Sequence, residues 1–216
     1  MTNVEYSSGN TVSKEYIEKN GYEEFFSIQP IPDNIFTLMN GKTFKPECTI
    51  LRSDLRYITC LHKDIEGTTK MGEMVVHEKI AERVLSILKS LYEASYPIER
   101  MRLIDYYDAD DELSMSDNNS SAFNFRLVSH TNIVSQHGLG LAVDINPLYN
   151  PYHKVLADGT EVIEPKAGYK YLDRNAEFNY KIEKGDLCHR LFVQNGFSWG
   201  GSWENRKDYQ HFEYIE

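Results

Sequence analysis

Two histidines and an aspartate, His137, Asp144 and His211, are the residues whose types and settings point most directly to chemistry. Asp144 lies inside the short apolar run Leu141-Ala142-Val143-Asp144-Ile145, where burying a carboxylate is costly unless a cation offsets it. His137 ends a polar loop in which Gly138 and Gly140 let the backbone turn tightly or approach a ligand. Taken alone, this pair also suits a hydrogen-bonded structural contact. His211 sits in Asp208-Tyr209-Gln210-His211-Phe212-Glu213-Tyr214. On a strand, His211 and Glu213 share one face while Phe212 and Tyr214 take the other. Taken alone, that segment also reads as a polar edge strand. Together, two His and one Asp form the ligand set of a catalytic zinc site, with a fourth position left for water. Asp208 is then a spare carboxylate able to take a proton from that water. Arg126 follows the aromatic pattern Phe123-Asn124-Phe125, so it either points into a cleft or is a solvated strand-end cation.

The elements that must position these residues are partly readable. Val76, Ile80, Val84, Ile87, Leu88 and Leu91 recur at helical spacing and predict a helix over about His77 to Ala94, stopped by Tyr96-Pro97. Ile98 to Tyr107 alternates and predicts a strand. Ser121 to Val128 is expected to be extended, and Leu141 to Ile145 to form a short strand. A second helix is expected from Leu187 to Asn195, capped by Asp186 and closed by Gly196. Tyr209 to Ile215 predicts a terminal strand. Helices and strands mix without a βαβ repeat, so the expected class is α+β.

The chain has 216 residues, enough for one medium domain. Residues 1–20 are polar and read as a tail or a weakly packed lead-in, and residues 21–216 read as a single domain with no linker or repeat. Its net charge of −10 is the wrong sign for tracking a phosphate backbone, so nucleic acid is not an expected partner. No apolar run approaches the roughly 20 residues of a membrane span. Cys48, Cys60 and Cys188 are odd in number, which argues against a disulfide framework and leaves only a Cys48–Cys60 bond open. No signal peptide is expected from the polar residues at the N-terminus.

The pattern Ser135-x-His137-x-x-Gly140-x-Ala142-x-Asp144, followed by Asp208-x-x-His211-Phe212-Glu213, resembles the D-alanyl-D-alanine carboxypeptidase and dipeptidase family of zinc metallopeptidases. That family includes L-alanyl-D-glutamate endopeptidases. The segments Ser121–Arg126, Asp144–Pro147 with Asn150–Tyr152, and Gly196–Trp203 agree, and the resemblance runs from about Leu51 to Glu216. It implies that His137, Asp144 and His211 bind Zn2+. It also implies that Asp208 is the general base, where many members carry Glu, and that Arg126 binds the scissile carbonyl oxygen. Ser135 is expected to contact substrate, and Glu213 to orient a ligand imidazole from behind. The implied fold is a compact α+β domain with a central antiparallel sheet, flanking helices and a zinc cleft. The implied substrates are peptidoglycan stem peptides or D-alanyl peptides, and hence an extracytoplasmic location. A zinc-bearing cell-wall-binding or signalling module without catalysis is the alternative, against which the presence of both Asp208 and Arg126 argues. His62, His77, His130, His153 and His189 match no ligand position and read as structural or surface residues. Trp199 and Trp203 read as core or cleft wall.

Overall fold

The computed structural model describes residues 7–128 and 131–215. Helix α1 (Lys14–Asn20) is followed by strand β1 (Ser27–Pro30) and helix α2 (Asp33–Met39). Strands β2 (Leu55–Lys63) and β3 (Thr69–His77) form a long antiparallel hairpin, in register from Leu55↔His77 to Lys63↔Thr69, and β1 pairs along the other edge of β2. Both faces of this hairpin are covered. Ile58, Cys60, Met74 and Val76 pack into one apolar cluster, and Leu55, Tyr57 and Val75 pack into another with Phe123 and Phe125. The polar lead-in is tied to the same hairpin. Gly9 N donates to Met71 O at 2.7 Å, Val12 N donates to Thr69 O at 2.9 Å, and Val12 is buried. From Ser7 onward, the stretch expected as a tail packs as part of the fold.

Strand β3 runs directly into helix α3 (Glu78–Glu93), within a residue of the expected bounds. His77 is its N-cap, its Nδ1 accepting from Lys79 N. The expected stripe of Ile80, Val84, Ile87, Leu88 and Leu91 is fully buried. Each such side chain contributes about 1.5–3 kcal/mol. The strand expected over Ile98–Tyr107 is mostly absent. Only Arg100–Met101 (β4) is strand, and Ile104–Tyr107 is a 3-10 turn. The reason is local: the Asn119 carboxamide accepts from Arg102 N and donates to Arg102 O, occupying the backbone groups a longer ladder would need.

After helix α4 (Asp111–Ser116), β5 (Asn119–Ser120) pairs in parallel with β4. Residues 121–128 are extended as expected, but they are held by separate bonds rather than a ladder: Phe123 N to Val75 O and Phe125 N to Thr43 O. Next come β6 (Ala142–Asp144), the hairpin of β7 (Tyr152–Val155) and β8 (Glu161–Glu164), and helix α5 (Leu187–Gln194). Asp186 caps α5 and Gly196 follows it with φ +90°, both as expected. The chain ends with β9 (Phe197–Trp199), β10 (Lys207–Asp208) and β11 (His211–Tyr214). The sheet order β6-β11-β9 is antiparallel, and β10 joins the edge of β7. The class is α+β. The cysteines are free thiols, so the Cys48–Cys60 bond is not made. Among the described residues no helix is long and apolar enough to cross a membrane.

The loop before β6 is locked to the start of α3 by Gly140. His77 N donates to Gly140 O at 2.8 Å, and a Cβ on Gly140 would lie 2.8 Å from His77 N. With φ at +69° this position disfavours any side chain. Gly140→Ala is therefore expected to lower stability by roughly 1–3 kcal/mol. Denaturant melts of the two proteins check this, and an unchanged midpoint would refute it.

Candidate metal centre

Each of the three candidate ligands is fixed by its element. His137 comes from a turn that Ser135 organises: Ser135 Oγ accepts from Gly138 N at 3.0 Å, and Gly140 N donates to His137 O. Asp144 ends β6 and His211 begins β11, and the two are direct cross-strand partners. On the far face of β11, Phe212 is fully buried and stacks on Phe192 of α5, with centroids 4.2 Å apart. Alternation along the strand then turns His211 and Glu213 the other way, as expected from the sequence.

The donor atoms converge. His137 Nε2 lies 3.1 Å from His211 Nδ1 and 3.2 Å from Asp144 Oδ2, and His211 Nδ1 lies 3.0 Å from Asp144 Oδ1. Ligands at about 2.0–2.1 Å around a tetrahedral zinc stand about 3.3 Å apart, so this spacing fits such an ion. The outer ring nitrogens are both engaged. His137 Nδ1 donates to Ala122 O at 2.6 Å, and His211 Nε2 donates to Glu213 Oε2 at 3.3 Å. In neutral imidazoles this leaves the lone pairs of His137 Nε2 and His211 Nδ1 facing each other and a carboxylate. Three acceptors so placed need a proton or a metal ion among them. Second bonds of this kind, to a carbonyl or a carboxylate, also orient metal-bound imidazoles. Both histidines are buried.

Residues 129–214 match the family model described as D-alanyl-D-alanine carboxypeptidase. The matched span holds all three converging donors together with Asp208, Glu213 and Ser135. The resemblance read from the sequence is thereby borne out over this segment. The family is one of zinc peptidases, and the match supports a zinc-dependent hydrolase. No curated protein and no solved structure matches the chain.

Charge in the carboxypeptidase-like segment is sharply divided. Burial alone would push Asp144 up, but the His137 and His211 charges and hydrogen bonds outweigh it and hold the carboxyl well below the ordinary range. Burial likewise disfavours the His211 cation. The bonds to Asp144 and Glu213, with the charges of Asp144 and Asp208, reverse this and raise His211 to about 10. Asp208 is pushed up to about 8, first by burial and then by Asp144 and Glu164, against the pull of His211 and Arg126. Its Oδ1 is buried without a hydrogen-bond partner among the described residues. Gly200 makes room for it, since a Cβ there would lie 2.7 Å from Asp208 Cβ.

The remaining candidates are distributed around the cluster. Glu213 sits behind His211, where an orienting carboxylate was expected. Arg126 is half-buried, with Nε 2.7 Å from Asp111 Oδ2. Ser135 is buried, and its hydroxyl is turned to the loop's own backbone rather than to the three donors. Trp203 is a wall, its ring centroid 5.5 Å from that of His211, while Trp199 is core. The other histidines lie elsewhere. His62 is buried beside Ile98 O, His77 caps α3, His153 pairs with Glu161 and His189 packs on Trp199. His130 lies outside the described residues. Sequence reasoning missed the Ala122 carbonyl and Asp111. The first is a backbone group, which no residue type announces, and the second lies 15 positions before Arg126 on another element.

The raised His211 sets a pH test. In the metal-free protein, the stabilisation from its pairing is fully present below the ordinary value of 6.5 and lost as pH rises through about 10. At pH 7 His211 therefore carries a proton that a metal must displace. Zinc binding is expected to release at least about one proton per chain. Calorimetry in buffers of different ionisation enthalpy measures this, and heats independent of the buffer would contradict it.

Proposed function

We propose that this chain is a zinc peptidase that hydrolyses peptidoglycan stem-peptide bonds involving D-amino acids, of the D-alanyl-D-alanine carboxypeptidase type. One observation carries the reading: His137 Nε2, Asp144 and His211 Nδ1 converge at 3.0–3.2 Å while the outer nitrogen of each ring is held by another acceptor. These three residues would hold zinc. Calcium and magnesium suit such a set poorly, because imidazole favours zinc and other transition metals. Bound there, zinc supplies Lewis-acid polarisation of a carbonyl and a water of lowered pKa.

The chain's own residues do the rest. Asp208, with a buried oxygen that has no partner among the described residues, takes a proton from the attacking water and returns it to the leaving amine. The Asp208 carboxylate is one methylene shorter than the Glu of many relatives, so it must stand closer to the water. Arg126 holds the carbonyl oxygen as negative charge develops, an effect worth about 2.7–4 kcal/mol for a well-placed donor. Glu213 and the Ala122 carbonyl keep the two imidazoles oriented. Stem peptides lie outside the cytoplasmic membrane, so an extracytoplasmic site of action follows from this substrate. Digestion of purified peptidoglycan, with products identified by mass, distinguishes carboxypeptidase, dipeptidase and endopeptidase cleavage.

Asp208→Asn keeps the shape but cannot take the proton. Hydrolysis of stem peptide is expected to fall by roughly 10²–10⁴ with zinc content and melting temperature near wild type. Wild-type turnover in the zinc-loaded variant would sink the general-base role, whereas a zinc-loaded wild type that cleaves no stem peptide would favour a non-catalytic zinc module. Arg126→Ala is expected to keep zinc and lose roughly 10²–10³ in kcat. Arg126→Lys should not restore the full rate, because an ammonium lacks the planar fork. Undiminished kcat in Arg126→Ala would leave this residue only its ion pair with Asp111.

A further inference from the structure

The first turn of α4 meets the segment that carries Arg126 through one carboxylate, which takes a hydrogen bond at one oxygen and a charge pair at the other. Asp111 Oδ1 accepts from Asn124 Nδ2 at 2.9 Å, and Asp111 Oδ2 lies 2.7 Å from Arg126 Nε. Asn124 and Arg126 are two residues apart on an extended stretch, so both reach the same side. Asn124 is buried, and its backbone N donates to His137 O, tying this stretch to a candidate zinc ligand. Asp111 is not needed as a helix cap, because Asp110 Oδ1 already accepts from Leu113 N. Nor is α4 loosely attached: Glu112 Oε1 accepts from Lys166 N at 2.8 Å. Asp111 is thus a half-buried acid with a hydrogen bond at one oxygen and an ion pair at the other.

The ion pair uses Arg126 Nε. Among the described residues Arg126 makes no other ion pair, so its two terminal nitrogens stay outside any carboxylate contact. Its positive charge nevertheless acts on both Asp208 and Glu164. Arg126 Nε is buried and makes no hydrogen bond among the described residues, so the Asp111 charge holds the cation beside this segment while the outer edge remains able to donate.

We propose that Asp111 is a positioning residue for the peptidase site, keeping the Arg126 cation in place by an ion pair on its Nε side so that the terminal nitrogens are left for the substrate carbonyl. This rests on the role given to Arg126 in the proposed function. Asp111 touches neither the three metal-binding donors nor the reacting atoms, and acts only through Arg126.

The test is a double-mutant cycle on the zinc-loaded full chain, with kcat and KM measured on stem peptide. Asp111→Asn is expected to lower kcat roughly 10- to 100-fold, as a misplaced group does, with little change in KM or zinc content. Asp111→Glu, which keeps a carboxylate, is expected to recover part of the loss. In the Arg126→Ala background, Asp111→Asn should cost less than about 2-fold, because the residue it positions is gone. Equal losses in both backgrounds, or an unchanged kcat in Asp111→Asn, overturn the proposal. A readout independent of activity is the Arg126 Nε–H signal in NMR, assigned by its absence in Arg126→Ala. It is expected to shift or exchange away in Asp111→Asn, and an unchanged signal overturns the proposal. If Asp111→Asn does not fold, Asp111→Glu replaces it, since the longer side chain moves the carboxylate. A signal at the wild-type position then refutes the contact. A wild type that cleaves no stem peptide defeats the proposed function instead, and the NMR comparison alone then decides on Asp111.

Discussion

Three electron-pair donors, two ring nitrogens and a carboxylate, face one another at about hydrogen-bond distance. That arrangement is unfavourable unless something positive sits among them, because each buried acceptor left unpaired costs about 1–3 kcal/mol. The chain does not relieve the conflict by rotating the rings. His137 Nδ1 is committed to Ala122 O and His211 Nε2 to Glu213, so turning either imidazole breaks a bond on its far side. The remaining ways to satisfy the donors are a proton on His211 and a metal ion. The rise of His211 to about 10 reflects the first of these.

Much of the fold can be understood as the means of maintaining that convergence. Asp144 and His211 need no long-range fitting, since antiparallel pairing of β6 and β11 sets them opposite each other. A one-residue slip would send His211 into the core and Phe212 out of it. The stack of Phe212 on Phe192 opposes such a slip, because the aromatic ring fits only from the α5 side. His137 has no strand partner and relies on its turn. There Gly138 lets the loop close on the Arg126 backbone, where a Cβ would lie 3.0 Å from Arg126 O, and Gly140 fastens the loop to the base of α3. The hairpin of β2 and β3, buried on both faces, supplies the rigid body to which that fastening leads.

The same features explain what the sequence disclosed and what it hid. His137, Asp144 and His211 were legible because metal binding needs particular side-chain types, and a carboxylate in an apolar run is conspicuous. Helix α3 was legible because one face is buried and the other is wet. The β2–β3 hairpin has no such contrast. Apolar residues face both sides of it, with buried His62 and Glu73 among them, so simple alternation is erased and the longest strands among the described residues leave no clear signal. The opposite error occurred at Ile98–Tyr107, where alternation was present but Asn119 took the backbone groups a strand requires. Ser135 sits in the family motif, yet its hydroxyl serves the turn that presents His137, a local role that a motif cannot separate from substrate contact.

Asp144 and Asp208 show how one environment assigns different tasks to the same residue type. Both carboxyls are desolvated, which by itself would raise both. Asp144 has two imidazoles within 3.2 Å and is held ionised well below the ordinary range. Asp208 feels the same His211 from farther off, without a bond to it, and must also bear the repulsion of Asp144 and Glu164, so it rises to about 8. Groups driven apart in this way are suited to opposite roles, one a permanent anion and the other a proton carrier near neutrality. The separation depends on geometry at the strand ends. Asp208 lies on β10, paired with β7, whereas Asp144 and His211 lie on β6 and β11. Tyr209 and Gln210, the two residues between β10 and β11, carry the chain from one sheet to the other. Were Asp208 carried on β11 itself, three residues before His211, strand alternation would turn it to the face of Phe212 and away from the ligands. The break between β10 and β11 is therefore what permits a carboxylate three positions from a candidate ligand to approach the cluster without becoming part of it.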